Sequence, residues 1–267
     1  MWILSGHEFS GVVEDIGSDV AGYSPGDAVF GATSGMGAYA EYLAVKAAVI
    51  AKKPSNLSFE EAASVPVAAQ TAWHGIFTHG HLEKGQTILI HGGAGAVGAY
   101  AVQLASHAGA TVIITASGGD EAYLNSIGAS RVIDYREAQF EQALREKVDV
   151  VFDLVGGDTQ KRSFLVLKEG GHLVSAIQPV SQEEAAKHRV TGVMMRLAPS
   201  GDVLRRIARL LEEGTIRPDV AKVYALQDVA LAWKDIAGNL PAVHGMSPSG
   251  RGEARRRSHG KIVLRVA

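Results

Sequence analysis

The sequence contains no cysteine. That absence excludes disulfides, thiolate metal sites and cysteine nucleophiles together. Net charge is nearly missing too, since 26 Lys and Arg offset 28 Asp and Glu for a formal charge of -2. Bulk electrostatics therefore argues against a nucleic-acid partner or a membrane surface. No run approaches the roughly 20 apolar residues that span a bilayer. The opening MWILSGHEFSG has no basic segment followed by a long apolar stretch, so no secretory signal is expected and the protein reads as cytoplasmic. There is no internal repeat. What remains, 46% hydrophobic and 20% charged residues over 267 positions, is the composition of a soluble globular chain of about two domains.

Turn signals divide the chain. Residues 1–68 carry short β-type runs punctuated by Gly and Pro, as in VVEDIGSDVAGYSPGDAVFG, and read as a small β domain. Residues 69–195 change to a strand–helix rhythm. TILIH (87–91), TVIITAS (111–117), RVIDY (131–135), VDVVFDLV (148–155), HLVSAI (172–177) and HRVTGVMM (188–195) read as strands. Helices are expected at 97–109, from Asp120 to Gly128 with Ser117 and Asp120 as a capping box, at 137–147, and up to about Leu167. Alternation of this kind gives a parallel sheet covered on both faces, the doubly wound dinucleotide fold of the α/β class. Residues 196–267 add GDVLRRIARLLEEG and LQDVALAWKDIAGN as helices and KIVLRV as a strand. Residues 241–258 read as a solvated loop, its Arg251, Arg255, Arg256 and Arg257 being a charge run rather than an anion site.

GAGAVG at 93–98 matches G-x-G-x-x-G in the required setting, with a strand before it and a helix after it. Glycine permits the tight turn and the approach of a pyrophosphate, which the first amides of the helix then bind. The candidate contacts are Gly92, Gly95, Ala96, Val97 and Gly98; the alternative is a close-packed turn that binds nothing. At the end of the second strand, where an acidic residue marks NAD, this chain has Ser117. A neutral hydroxyl leaves room for a 2′-phosphate and favours NADP, with Tyr135 and Arg136 as further phosphate contacts. Ser117 also serves as a helix cap in the alternative reading.

The stretches GHEFSGVVEDIGSDVAGYSPGDAVFG, AYAEYLAV, PVAAQTAW, GQTILIHGGAGAVGAYAVQLA, IGASRVIDY, VVFDLVGG and GKIVL resemble, in order, the medium-chain dehydrogenase/reductase superfamily. They are most similar to its zinc-independent, NADPH-dependent quinone oxidoreductase and enoyl reductase branch, which includes zeta-crystallin. The resemblance implies a Rossmann domain plus a GroES-like β domain built from 1–68 and 196–267, with the active site in the cleft between them. It implies hydride transfer to a quinone or an electron-poor alkene, and a homodimer. It places Thr71, Val155, Gly156 and Ile177 on the nicotinamide side and Lys261 near the cofactor. Thr71 as a helix cap and Lys261 as a snorkelling edge lysine are the alternatives. No catalytic acid is assigned.

The pair His7 and Glu8 also occurs in the zinc branch, where the His is a ligand. Val67 stands here where that branch supplies a cysteine, and a catalytic zinc needs three protein ligands, so no metal is expected. Relatives begin well before GHE, so the resemblance implies an incomplete β domain, with open strand edges and apolar surface that partners would cover. The rival functions are an NADPH-binding protein without turnover and a zinc alcohol dehydrogenase.

Overall fold

A computed structural model describes residues 6–239 and 259–266; the expected loop at 241–258, with its arginines, lies outside the described residues. In the first segment β1 (Glu8–Val12), β2 (Ala28–Ala32) and β3 (Ile50–Lys52) form an antiparallel sheet in that order. α1 (Phe59–Ala63) and α2 (Pro66–Trp73) follow. α1 starts on a capping box, in which Ser58 Oγ accepts from the Glu61 N–H and Glu61 Oε2 from the Ser58 N–H.

The large sheet is built from β4 (Thr87–His91), β5 (Thr111–Ala116), β6 (Arg131–Asp134), β7 (Val148–Asp153), β8 (Leu167–Ser175) and β9 (Thr191–Met194). Their order across the sheet is β6-β5-β4-β7-β8-β9, every pair parallel. This is the 3-2-1-4-5-6 order of a doubly wound fold, whose reversal between the strands flanking β4 opens a crevice at their carboxyl ends. Ile88, Leu89 and Ile90 of β4 and Val150, Val151 and Phe152 of β7 are buried, as central parallel strands covered on both faces require. The connecting helices include α3 (Ala96–His107), α4 (Glu121–Ser126), α5 (Phe140–Ala143), α6 (Gly157–Ser163) and α7 (Gln182–His188).

α8 (Gly201–Glu212), β10 (Val220–Ala225), α9 (Val229–Asn239) and β11 (Lys261–Arg265) complete the described chain. α8 buries Leu204, Ile207, Ala208 and Leu211, the stripe its 3.6-residue period dictates. Fully buried Gln70 ties it to α2: Oε1 accepts from the Ser200 N–H at 2.8 Å while Nε2 donates to the Pro66 carbonyl at 3.0 Å. β10 and β11 pair in parallel as a separate ribbon.

Several local expectations change. The helix over 137–147 contracts to α5, four residues long; Phe140 is drawn into the core while Leu144 is already extended toward β7. α7 falls where no helix was expected and shortens the last strand to Thr191–Met194. Ser181 caps it by accepting from the Glu184 N–H, and Arg189 ends it at φ 53°. Ser117 does not close a capping box: its hydroxyl donates to Asp120 Oδ2 at 2.5 Å, and the Gly118–Asp120 turn is 3-10 rather than α.

Candidate active site

The carboxyl ends of β4, β5, β6, β7 and β8 converge on one edge of the sheet. At the end of β4 each glycine of the turn has a separate reason to be glycine. Gly92 adopts φ +80°, a left-handed conformation that costs an L side chain about 1–2 kcal/mol. A Cβ on Gly93 would lie 2.2 Å from Ile114 Cγ2, and one on Gly98 would lie 2.5 Å from the Gly92 carbonyl oxygen. Gly98 lets α3 pack onto the turn backbone, and Gly93 lets the turn lie against the Ile114 side chain of β5.

Gly95 is different. It is exposed, its φ of -77° suits any residue, and its nearest obstacle to a Cβ is 3.5 Å away. It is also the N-cap of α3, with no side chain closing the helix end. The first i→i−4 bond runs from the Ala99 N–H to the Gly95 carbonyl, so the amides of Ala96, Val97 and Gly98 precede the ladder. Uncapped amides at the positive end of a 12-residue helix are chemically suited to receive an anion.

Ser117 and Tyr135 meet at the adjoining corner, joined by a bond from the Tyr135 N–H to the Ala116 carbonyl. Tyr135 is 58% exposed, with the Arg136 guanidinium 5.8 Å from its ring centre. The same corner holds Asp134, whose Oδ2 accepts from the Gly118 N–H at 2.7 Å. The Arg136 N–H bonded to its other oxygen holds this carboxyl below its usual range, the Gly118 N–H helping. Ser117's own hydroxyl is committed to Asp120, so Arg136 and Tyr135 are the exposed groups there.

On the other side of the glycine turn, Val155, Gly156 and Ile177 come together. A Cβ on Gly92 would touch Val155 Cγ2 at 3.4 Å, and one on Gly156 would touch Ile177 Cγ2 at 3.2 Å. Val155 and Ile177 are each 52% exposed, an apolar lip over the edge of the sheet. Behind them sits a polar residue the sequence reading did not single out. Asp153 ends β7 fully buried, with Oδ1 accepting from the Val155 and Gly156 N–H groups at 3.0 and 2.8 Å. His91 was also passed over: it is fully buried at the end of β4, its Nδ1 2.9 Å from Thr115 Oγ1 and its Nε2 3.0 Å from Ser163 Oγ. The readable signal for both was a polar residue closing an otherwise apolar strand, which a fold tolerates only with partners.

Thr71 and Lys261 form a third group. Thr71 lies inside α2 rather than at its start, buried, with its hydroxyl donating to the Val67 carbonyl at 2.7 Å. Glu8 Oε2 accepts from the Val67 N–H at 2.8 Å, and its Oε1 is in contact with the Lys261 ammonium. Burial pushes that ammonium down to about 8, still charged at neutral pH against its carboxylate. His7 Nδ1 is 2.8 Å from the Gly35 carbonyl. Zinc fits poorly here: Glu8 is occupied through both oxygens, Val67 has no ligand atom, and no cluster of three His, Asp or Glu suited to a metal occurs among the described residues. No helix of the described residues is long and apolar enough to cross a membrane.

Comparison with known proteins identifies the family. Residues 2–55 match the family described as alcohol dehydrogenase GroES-like domain, and residues 127–239 the family described as zinc-binding dehydrogenase. The chain is 32% identical over 266 residues to the NAD(P)H oxidoreductase RTN4IP1, mitochondrial, of Danio rerio, covering 88% of this chain and 69% of that protein. It is 39% identical over 225 residues to the 2-methylene-furan-3-one reductase of Solanum lycopersicum, covering 80% of this chain and only 55% of the relative. Among solved structures it resembles the Escherichia coli quinone oxidoreductase complexed with NADPH, with TM-score 0.79 and 29% identity, over 88% of this chain and 78% of that one. The chain belongs to the medium-chain dehydrogenase/reductase superfamily, in its zeta-crystallin-like quinone oxidoreductase and enoyl reductase branch.

Proposed function

We propose that this protein is an NADPH-dependent oxidoreductase that reduces a quinone or an electron-poor alkene, such as an enone, without a metal. The observation that carries the reading is the uncapped start of α3 at exposed Gly95, set between a corner with Arg136 and an apolar lip of Val155 and Ile177. A dinucleotide laid across such an edge would put its pyrophosphate over exposed Gly95 and on the amides of Ala96 and Val97, its 2′-phosphate toward Ser117, Tyr135 and Arg136, and its nicotinamide against the lip. Gly92 and Gly98 shape the turn from behind. NADPH supplies a hydride from C4 of the nicotinamide; the acceptor takes that hydride and one proton and leaves as a hydroquinone or a saturated ketone. The chain's own part is to bind, orient and exclude water, with Thr71, Glu8 and Lys261 on the far wall of the cleft between the β segments (1–68 and 196–267) and the dinucleotide domain (69–195). A homodimer belongs to the same reading, supported by apolar side chains left 59% exposed at Val12 and Met36.

The test is cofactor binding followed by turnover. Purified protein should bind NADPH about tenfold more tightly than NADH, and should oxidise it with a benzoquinone or an enone in the presence of a chelator. Arg136→Ala should cost NADPH roughly 1 kcal/mol of binding and leave NADH unchanged, because only the 2′-phosphate meets the guanidinium. Tighter NADH binding in the wild type would overturn the cofactor assignment. Binding without oxidation of NADPH by any acceptor would favour the non-catalytic reading, and activity lost to a chelator would favour the zinc enzyme.

A further inference from the structure

We infer that Asp153, Gln160, Ser175 and Gln178 form a positioning device for hydride transfer, locking the two turns that carry Val155 and Ile177 into one unit; this rests on the function proposed above. Asp153 is fully buried and has no ion pair among the described residues. A carboxylate in such a place is costly unless hydrogen bonds replace its water. Four do. Besides the Val155 and Gly156 amides on Oδ1, its Oδ2 accepts from Gln160 Nε2 at 3.1 Å and from Ser175 Oγ at 3.0 Å. The neighbouring His91 adds no positive charge at neutral pH, because burial holds its pKa well below the usual value.

The bonds then close on themselves. Ser175 stands opposite Asp153 in the β7–β8 register, and its Oγ accepts from the Ile177 and Gln178 N–H groups at 3.2 and 3.3 Å. Gln178 Oε1 accepts from the Gly157 N–H at 3.1 Å, and its Nε2 donates to Gln160 Oε1 at 3.1 Å. Every member therefore touches both the turn after β7 and the turn after β8, directly or through one partner. An apolar pair at the strand ends would join β7 to β8 without the cost of burying charge. What the circuit adds is a fixed height and tilt for two half-exposed apolar side chains, Val155 and Ile177. A nicotinamide resting on that lip inherits its geometry, and an ångström of misplacement at a reacting centre costs on the order of 100-fold in rate.

These four are positioning residues, and the experiment must separate positioning from folding. Ser175→Ala and Gln178→Met would be compared with wild type and with Ser175→Thr, which restores the hydroxyl. The measurements are melting temperature, affinity for 2′,5′-ADP as a probe of the adenosine half alone, and single-turnover oxidation of NADPH and 4-deuterated NADPH by a benzoquinone. The expected result is a transfer rate about 10- to 100-fold lower in Ser175→Ala, a larger isotope effect as transfer becomes more rate-limiting, 2′,5′-ADP affinity within about twofold of wild type, and recovery in Ser175→Thr. Gln178→Met should shift in the same direction. Folded variants that transfer hydride at the wild-type rate would overturn the inference, as would losses of 2′,5′-ADP affinity that parallel the rate. A wild type that binds NADPH but reduces nothing would instead overturn the proposed function, and the positioning role with it.

Discussion

Replacing Gly98 with alanine is expected to unseat the turn that opens α3, whereas the same change at Gly95 should leave the fold intact and cost cofactor affinity. At Gly98 the added methyl would sit 2.5 Å from the Gly92 oxygen, 2.6 Å from Gly93 Cα and 2.7 Å from the Gly93 oxygen. All three are backbone atoms, so no rotamer change relieves the clash; the helix must move away from the turn and from the buried strands β4 and β5 beneath it, at about 3 kcal/mol by comparison with overpacked cores. At Gly95 the backbone is ordinary and the space open, and since alanine is only a somewhat poorer N-cap than glycine the helix loses at most about 1 kcal/mol. Its methyl would, however, stand where a pyrophosphate approaches the amides of Ala96 and Val97. The pair of variants separates the two meanings of the glycine run. If it only packs, Gly95→Ala leaves NADPH affinity unchanged. If it cradles phosphate, Gly95→Ala weakens NADPH binding by about tenfold or more with only a small drop in melting temperature, while Gly98→Ala lowers both strongly. Equal affinities for NADPH in wild type and Gly95→Ala would remove the cradle from the account.

The contrast between those glycines also marks what the sequence could disclose. GAGAVG was legible because its meaning is local: turn, helix start and spacing lie within six residues. The parallel sheet was legible for a similar reason, since runs such as TILIH and VDVVFD carry their burial in their own composition. The circuit behind the lip was not legible. Asp153 finds Ser175 across 22 positions and His91 finds Ser163 across 72, and no periodicity encodes a hydrogen bond between neighbouring strands or from a strand to a helix. Ser117 shows the intermediate case. Its place at the end of β5 was readable, but its hydroxyl is turned to Asp120 instead of a helix amide, the chain after it making a 3-10 turn. Thr71 likewise lies where PVAAQTAW put it along the chain, yet its hydroxyl bonds back to its own helix. The weak helix over 137–147 failed because tertiary contacts outweigh propensity in a short segment: Phe140 packs edge-on against His91 at 4.6 Å, and only the residues around it stay helical.

His91 gives the second large effect, a loss of stability in mild acid. Burial, the largest influence, drives its pKa from 6.5 down to about 4; Asp153 opposes that shift and Arg162 adds to it. The folded value lies below the unfolded one, so the neutral ring is part of the native state. Its contribution is fully present above about pH 6.5 and is lost as pH falls toward 4, amounting to about 2 kcal/mol by pH 5 and about 3 kcal/mol by pH 4. His74 and His172, whose pKa values burial also lowers, add to the loss with the same sign. The carboxyls of Glu60 and Asp134 are also held below their usual range, through hydrogen bonds that favour the charged form, and give up their contributions only at lower pH. Denaturant unfolding of the wild type between pH 7.5 and 4.5 should therefore show stability falling from the upper end of this range, before carboxylates titrate. His91→Gln, which retains a polar group but cannot gain a proton, should start lower at pH 7.5 by about 1–2 kcal/mol for the disturbed bonds to Thr115 and Ser163, and should then decline less steeply. The two curves converge in acid if His91 is the main titrating group. Parallel curves would assign the acid sensitivity to the other histidines and leave His91 a purely structural link between β4, β5 and α6.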